Sequence, residues 1–245
     1  MGTPMREQGV IFVHIPKAAG TSLKQALVEA NSEGAFCFDY GRPMAKGSLR
    51  RKIDCLYHSV YGSRPLGRII FGHFLVGKYA RPGLSSFRKD PRFKYAVFLR
   101  EPLQRAISHF HFWKRTLVPG HRVWETFMRE NWDIERFLLG DEHRNFQSQF
   151  LWRFNLSQFD FVGLAERYEE SLRMLGAAIP LLADLNARKE NVNPQRSPID
   201  GYVVAPSLAA AFKQRNNLDY VLYDQALELF AKQQARFGGE HKHQL

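Results

Sequence analysis

An ammonium, a glycine and two hydroxyls fall together at Lys17, Gly20, Thr21 and Ser22, directly after an apolar run of Val10, Ile11, Phe12, Val13 and Ile15. That set suits an oxyanion. Lys17 supplies charge, Ala18, Ala19 and Gly20 let the backbone approach a ligand, and the amides of a helix start complete the cradle. The spacing differs from the nucleotide-triphosphate loop G-x-x-x-x-G-K-[ST], because Lys17 precedes Gly20 instead of following a second glycine. No acidic strand end of the kind that holds magnesium is evident. The plain alternative for Lys17 is a solvated loop lysine.

A second constellation lies at Arg100 and Ser108, where the apolar run Tyr95 to Leu99 gives way to Arg100-Glu101-Pro102 and a helix expected from Leu103 to about Lys114. A guanidinium fork at a strand end and a hydroxyl two turns into the next helix converge on one phosphate. Arg100 could instead pair with Glu101 or Asp90, and Ser108 could face solvent or its own helix backbone. A third strand, Ile69 to Phe71, delivers Gly72 and His73. An imidazole with an unperturbed pKa of roughly 6.5 can take a proton from a hydroxyl. The plain alternative is a paired core histidine; His14 is the second choice for the base, and Glu101 the nearest carboxylate.

Each constellation needs a strand to end where a loop or helix begins. Pro16 ends the first strand, Thr21 or Ser22 can cap the helix that Leu23 to Ala30 forms, and further elements are expected at Val123–Met128, Ile134–Leu139, Phe159–Leu164, Glu166–Leu175 and Pro206–Phe237. Leu218, Val221, Leu222, Ala226, Leu229 and Phe230 form an apolar stripe expected to face the core. The stretches from Gly34 to Arg68 and from Lys78 to Lys94 are basic and read as loops above the sheet. Alternating strands and helices at this length predict one α/β domain over residues 1–245, with a catalytic core from about 9 to 235.

The run Pro16-Lys17-Ala18-Ala19-Gly20-Thr21-Ser22 resembles the 5′-phosphosulfate loop of sulfotransferases that use 3′-phosphoadenosine-5′-phosphosulfate (PAPS). Arg100-Glu101-Pro102-Leu103-Gln104-Arg105-Ala106-Ile107-Ser108 resembles their R-[DE]-P-x-x-R-x-x-S segment. The resemblance is nearest to the carbohydrate branch typified by heparan sulfate 2-O-sulfotransferase, and it spans about residues 9 to 235. It implies a P-loop-like three-layer sandwich, a central parallel sheet flanked by helices. It also implies PAPS as co-substrate, cradled by Lys17, Ala18, Ala19, Gly20, Thr21 and Ser22, with Arg100 and Ser108 on the 3′-phosphate. Arg196, in the late loop Lys189–Pro198, is placed on that phosphate too. Catalysis falls to His73 as general base and to Lys17. Arg144–Leu151 resembles the family's N-x-Q-[ST]-x-x-L segment near the acceptor, Val162–Glu166 its strand-to-helix exit, and Arg215–Tyr223 its closing R-N-x-x-D-x-x-L-Y run.

Composition agrees. Lys and Arg number 35 against 24 Asp and Glu, a net charge of +11, which suits anionic partners: PAPS, and a hydroxyl acceptor such as an anionic glycan. The rival classes are an ATP-dependent phosphotransferase and a non-catalytic binder of nucleic acid or another polyanion; no nucleic-acid partner is expected. Cys37 and Cys55 are expected as reduced thiols, and no metal-ligand spacing occurs. No run reaches the ~18 apolar residues of a membrane span, and a soluble, cytoplasmic, bacterial-type enzyme is the expectation.

Overall fold

The computed structural model describes residues 8–30, 35–63, 69–183 and 201–237. Five strands among them form one sheet: β1 (Gly9–Val13), β2 (Phe36–Asp39), β3 (Ile69–Gly72), β4 (Phe93–Leu99) and β5 (Phe161–Leu164). All pairings are parallel, in the order β2-β3-β1-β4-β5. Parallel strands buried on both faces read as continuous apolar runs, and β1, β3 and β5 are buried throughout. Helices α1 (Gly20–Ala30) and α2 (Ser48–Tyr61) link the first three strands. The chain steps outward from β1 to β2 and back from β2 to β3, so right-handed crossovers put α1 and α2 on opposite faces.

Between β4 and β5 lie α3 (Pro102–Arg115), α4 (Arg122–Arg129), α5 (Ile134–Leu139) and α6 (Phe146–Phe150). After β5 come α7 (Tyr168–Ala178), α8 (Pro206–Arg215) and α9 (Asn217–Phe237). The main core joins the sheet to α1, α7 and α9; a second aromatic cluster, with Trp113, Phe127, Trp132, Phe137 and Phe212 at its centre, holds α3, α5 and α8 together. The predicted α/β architecture is therefore the observed one.

Four local expectations change. The basic stretch from Gly34 to Arg68 holds an edge strand, β2, and a four-turn helix, α2, where loops were expected. Helix α1 starts at Gly20, so Thr21 and Ser22 sit in its first turn and do not cap it. The span Pro206–Phe237 breaks at Asn216, whose side-chain amide donates to the Phe212 carbonyl at 3.0 Å and so competes with the helix ladder. On α9, Ala226 and Phe230 are in the core, whereas Leu218 and Val221 are exposed. Cys37 and Cys55 are free thiols.

Candidate active site

The connection from β1 leaves toward β2 and that from β4 leaves toward β5, so a crevice opens at the carboxyl ends of β1 and β4. Lys17 and Arg100 come from these two strand ends. The Arg100 guanidinium Nη1 donates to the Lys17 carbonyl at 3.2 Å, joining the two constellations. Lys17 (φ 70°) and Ala19 (φ 61°) both adopt the left-handed region, a strain of order 1 kcal/mol each that clusters at ligand sites. Such alternation bends a loop into a concave nest of amides. The first-turn amides of α1 at Gly20, Thr21 and Ser22 precede the Leu23 N–H bond to the Ala19 carbonyl, 3.2 Å, and so lie at the open helix end. Ala18 differs: its side chain is buried, and its N–H donates to the Ile15 carbonyl at 3.2 Å. The Lys17 ammonium rests 4.5 Å from the centroid of Phe112 on α3.

Arg100 is 7% exposed, and its backbone is held from both sides: Gln147 Oε1 accepts from its N–H at 3.1 Å while Gln147 Nε2 donates to its carbonyl at 2.8 Å. The Glu166 carboxylate stands beside it, with Oε1 3.9 Å from Arg100 Nε. Asp90 instead pairs with Arg81 and Arg92, and Glu101 caps α3 by accepting from the Gln104 N–H at 2.6 Å. Ser108 is nearly buried on α3, one turn before Phe112, and i, i+4 spacing puts the two on one face. On the same face, Gln104 grips Tyr202 by two bonds, 2.7 and 2.8 Å. Arg196 lies outside the described residues.

His73 follows the last residue of β3. Gly72 permits this, since a Cβ there would fall 1.8 Å from the Asp39 carbonyl oxygen. The His73 and His14 rings are 4.5 Å apart, and Tyr40 meets His73 edge-on at 4.8 Å. His14 Nδ1 and His73 Nε2 are both buried with no hydrogen-bond partner among the described residues. His14 also touches the cradle: a Cβ at Gly20 would lie 1.6 Å from His14 Nε2. The expectation of His14 under the sheet edge thus gives way to a ring lying between His73 and the Lys17 loop. Burial, with the Arg42 charge, lowers the His73 pKa to about 4 against a small opposing effect of Asp39. His14 is lowered well below the usual value, first by burial and then by His73, Lys17 and Lys24. Both imidazoles are therefore neutral at pH 7. His73 opens onto a pocket of about 70 Å³ whose walls include Asp39, Arg51, Cys55, His58 and Lys78. The Asp39 carboxylate accepts from Lys78 at 2.6 Å and from the Tyr79 hydroxyl at 2.9 Å, fixing that wall.

Sequence reasoning missed the supports. Arg105, a fixed position of the second motif, is 1% exposed and stacks 4.3 Å over Phe146 with Asp219 as its opposing charge, so it is a core residue. Asp219 accepts from the Gln147 and Ser148 amides and the Ser148 hydroxyl at 2.7–3.0 Å. The segment expected near the acceptor thus chiefly scaffolds Arg100, although Gln149 also accepts from Arg51 of the pocket. Among the described residues no group of His, Cys, Asp and Glu is arranged to hold a metal.

The sequence matches the Sulfotransferase family over residues 5–224 of 245, and the chain belongs to that family. Two solved structures are similar: mouse sulfotransferase SULT7A1 complexed with PAP, at 16% identity over 89% of both chains with a TM-score of 0.43, and a sulfotransferase from Alicyclobacillus acidocaldarius, at 14% identity over 87% of this chain and 92% of that one with a TM-score of 0.41. No curated protein matches the sequence.

Proposed function

We propose that this sulfotransferase takes the sulfuryl group from PAPS and places it on a hydroxyl of a carbohydrate-type acceptor, with residues 1–245 acting as one domain. The observation that carries the reading is the Arg100 guanidinium seated on the Lys17 carbonyl, which makes one anion-binding floor from two loops. A donor with phosphates at both ends of its ribose needs two such cationic points, and the residues fit it: an ammonium, a helix start without room for a Cβ at Gly20, and a buried guanidinium. Arg100 and Ser108 hold the 3′-phosphate and fix the register of the donor. Lys17, with the amides of Gly20, Thr21 and Ser22, balances the charge left on the 5′-phosphate oxygen as its bond to sulfur breaks. His73 takes the proton of the acceptor hydroxyl as that oxygen bonds to sulfur. Its neutral state at pH 7 is what a base requires, although burial also makes it a weaker base than a free imidazole. The charged walls of the pocket beside His73 favour a polar acceptor.

Thermal unfolding with PAP, AMP, ATP and a heparin-like polyanion tests the donor, because a ligand that binds the folded state raises Tm by mass action. PAP should raise it strongly and AMP little. An equal response to PAP and AMP removes the 3′-phosphate assignment; a response to ATP with magnesium alone favours phosphotransfer, and one to the polyanion alone a binding module. Transfer from labelled PAPS to a panel of sugars, glycans and simple alcohols then identifies the acceptor.

A further inference from the structure

Helix α2 is built the wrong way round for a helix that only covers a sheet. Leu49, Ile53, Leu56, Tyr57, Val60 and Tyr61 recur at spacings of three and four and so share one face, yet they are 37–73% exposed. The inward side carries only Cys55 and Ser59 as buried residues, and packs on the turn at Val76–Tyr79. Surface helices normally bury their apolar stripe; this one presents it to solvent. Basic side chains rim the stripe. Arg50 and Lys52 flank it. Asp54, the one acidic residue of α2, lines the pocket beside His73 together with Lys46, its partner at 2.7 Å, and also meets Arg50 at 3.1 Å, so the rim formed by Arg50 and Lys52 stays net positive.

We propose that α2 docks this protein onto an anionic membrane surface, with its apolar face among the acyl chains and its basic rim at the lipid headgroups. An apolar face flanked by cations and bearing two tyrosines is the make-up of a helix that lies in the interface plane. A second copy fits less well, since self-association through this face would set Arg50 and Lys52 against their own equivalents on a chain of net charge +11. Among the described residues no helix is long and apolar enough to cross a membrane, so the contact is peripheral. Arg51 and His58 project from the far side of α2 into the pocket beside His73. Docking therefore holds that pocket about one helix diameter, ~10–12 Å, from the lipid surface.

Co-sedimentation of the full chain with vesicles decides the matter. The protein should pellet with phosphatidylcholine vesicles containing phosphatidylglycerol and roughly tenfold less with phosphatidylcholine alone or at high salt, because anionic headgroups supply the attraction. Ile53→Glu combined with Val60→Glu should abolish pelleting, and Arg50→Glu combined with Lys52→Glu should remove the preference for the anionic lipid. Arg50, Ile53 and Val60 are exposed and Lys52 is half-buried with its ammonium 5.5 Å from the centroid of the Trp152 ring, so an unchanged thermal midpoint is required to show that the variants fold. The proposal fails if the wild type stays in solution with anionic vesicles or if either double variant pellets like the wild type. It fails equally if light scattering shows a dimer that Ile53→Glu with Val60→Glu converts to a monomer, which assigns the face to a second copy.

Discussion

Replacing Gly20 by alanine probes whether His14 locks the Lys17 loop to His73. The new Cβ would lie 1.6 Å from His14 Nε2 and 1.9 Å from Cδ2, about half of an ordinary carbon contact of ~3.5–4.0 Å. The ring cannot swing clear, because Phe71 (5.1 Å between centroids), His73 (4.5 Å) and Tyr40 (6.2 Å) surround it. Overpacking of this kind costs about 1–3 kcal/mol, while alanine gains at most about 1 kcal/mol over glycine in a helix. Gly20→Ala should therefore destabilise by about 1–2 kcal/mol, and a chain of this size loses ~2–4 °C of Tm per kcal/mol. In a His14→Ala background the obstacle is gone and the substitution should be neutral or mildly stabilising. A double-mutant cycle by calorimetry should then return a coupling of about 1–3 kcal/mol, and PAP affinity should fall with Gly20→Ala alone. A single variant as stable as the wild type, or a coupling near zero, refutes the packing of His14 against the helix start.

Further outcomes are expected. Arg100→Ala should weaken PAP binding about tenfold to 150-fold, the loss of ~1.5–3 kcal/mol for a charge-assisted bond, and leave AMP binding little changed by calorimetric titration. Lys17→Ala should reduce kcat more than PAP affinity, because charge on the leaving oxygen grows only as the bond breaks; a raised KM with unchanged kcat would make Lys17 a binding residue only. His73→Ala should keep PAP affinity and lower turnover by roughly 100-fold or more. In the wild type kcat/KM should fall only as pH drops toward about 4, the value burial gives His73, and an acid limb near 6.5 would move the role elsewhere. Stability should also decline in acid: His14, His109 and His143 are held well below their usual value, chiefly by burial, so below about 6.5 the unfolded chain binds protons that the folded one refuses. His73 alone, at about 4 when folded, contributes on the order of 2 kcal/mol of this loss by pH 5, and urea midpoints that do not fall between pH 7.5 and 5 would contradict it.

The elements that were legible are those whose local chemistry and burial agree. Central strands β1, β3 and β4 are apolar runs bounded by proline, glycine or charge, and α3 begins at a proline with an acidic cap, so its ends fall within a residue of those expected. Helix α5 matches its expected limits, Ile134–Leu139. What was not legible follows from burial that contradicts type. Strand β2 is a four-residue edge strand with Phe38 exposed, and α2 turns its apolar face outward, so neither carries the pattern of a covered element. The site shows the same division. Lys17, Arg100 and His73 stand at strand ends and could be picked by residue type and position, whereas His14 is one of several histidines until β1 and β3 are paired, which puts Val13 beside Gly72 and brings the following imidazoles into contact.

Pairing through buried polar side chains explains why motifs so far apart in sequence form one unit. Asn145 accepts from the amides of Leu218 and Asp219 at 3.1 and 3.3 Å, and Asn216 accepts from the Asn145 amide at 2.7 Å, so the start of α6 and the start of α9 cap each other. Asp219 then receives the amides of Gln147 and Ser148, and this fixes the Gln147 carboxamide that grips both backbone groups of Arg100. The same carboxylate is the opposing charge for Arg105, one turn into the helix that Arg100 precedes. Glu166 closes the ring from β5, accepting from the Glu101 amide at 2.9 Å and the Tyr223 hydroxyl at 3.0 Å while facing the Arg100 guanidinium. The Glu166 bonds are exposed, but those of Gln147, Asn216 and Asp219 lie largely between buried groups and hold their geometry because breaking one strands a partner without water, at about 1–3 kcal/mol. On the proposed assignment of Arg100 to the 3′-phosphate, a guanidinium that meets a phosphate in one register needs that rigidity more than it needs extra charge. Gln147 therefore acts on Arg100 through its backbone, while Glu166 and the Lys17 carbonyl meet its guanidinium.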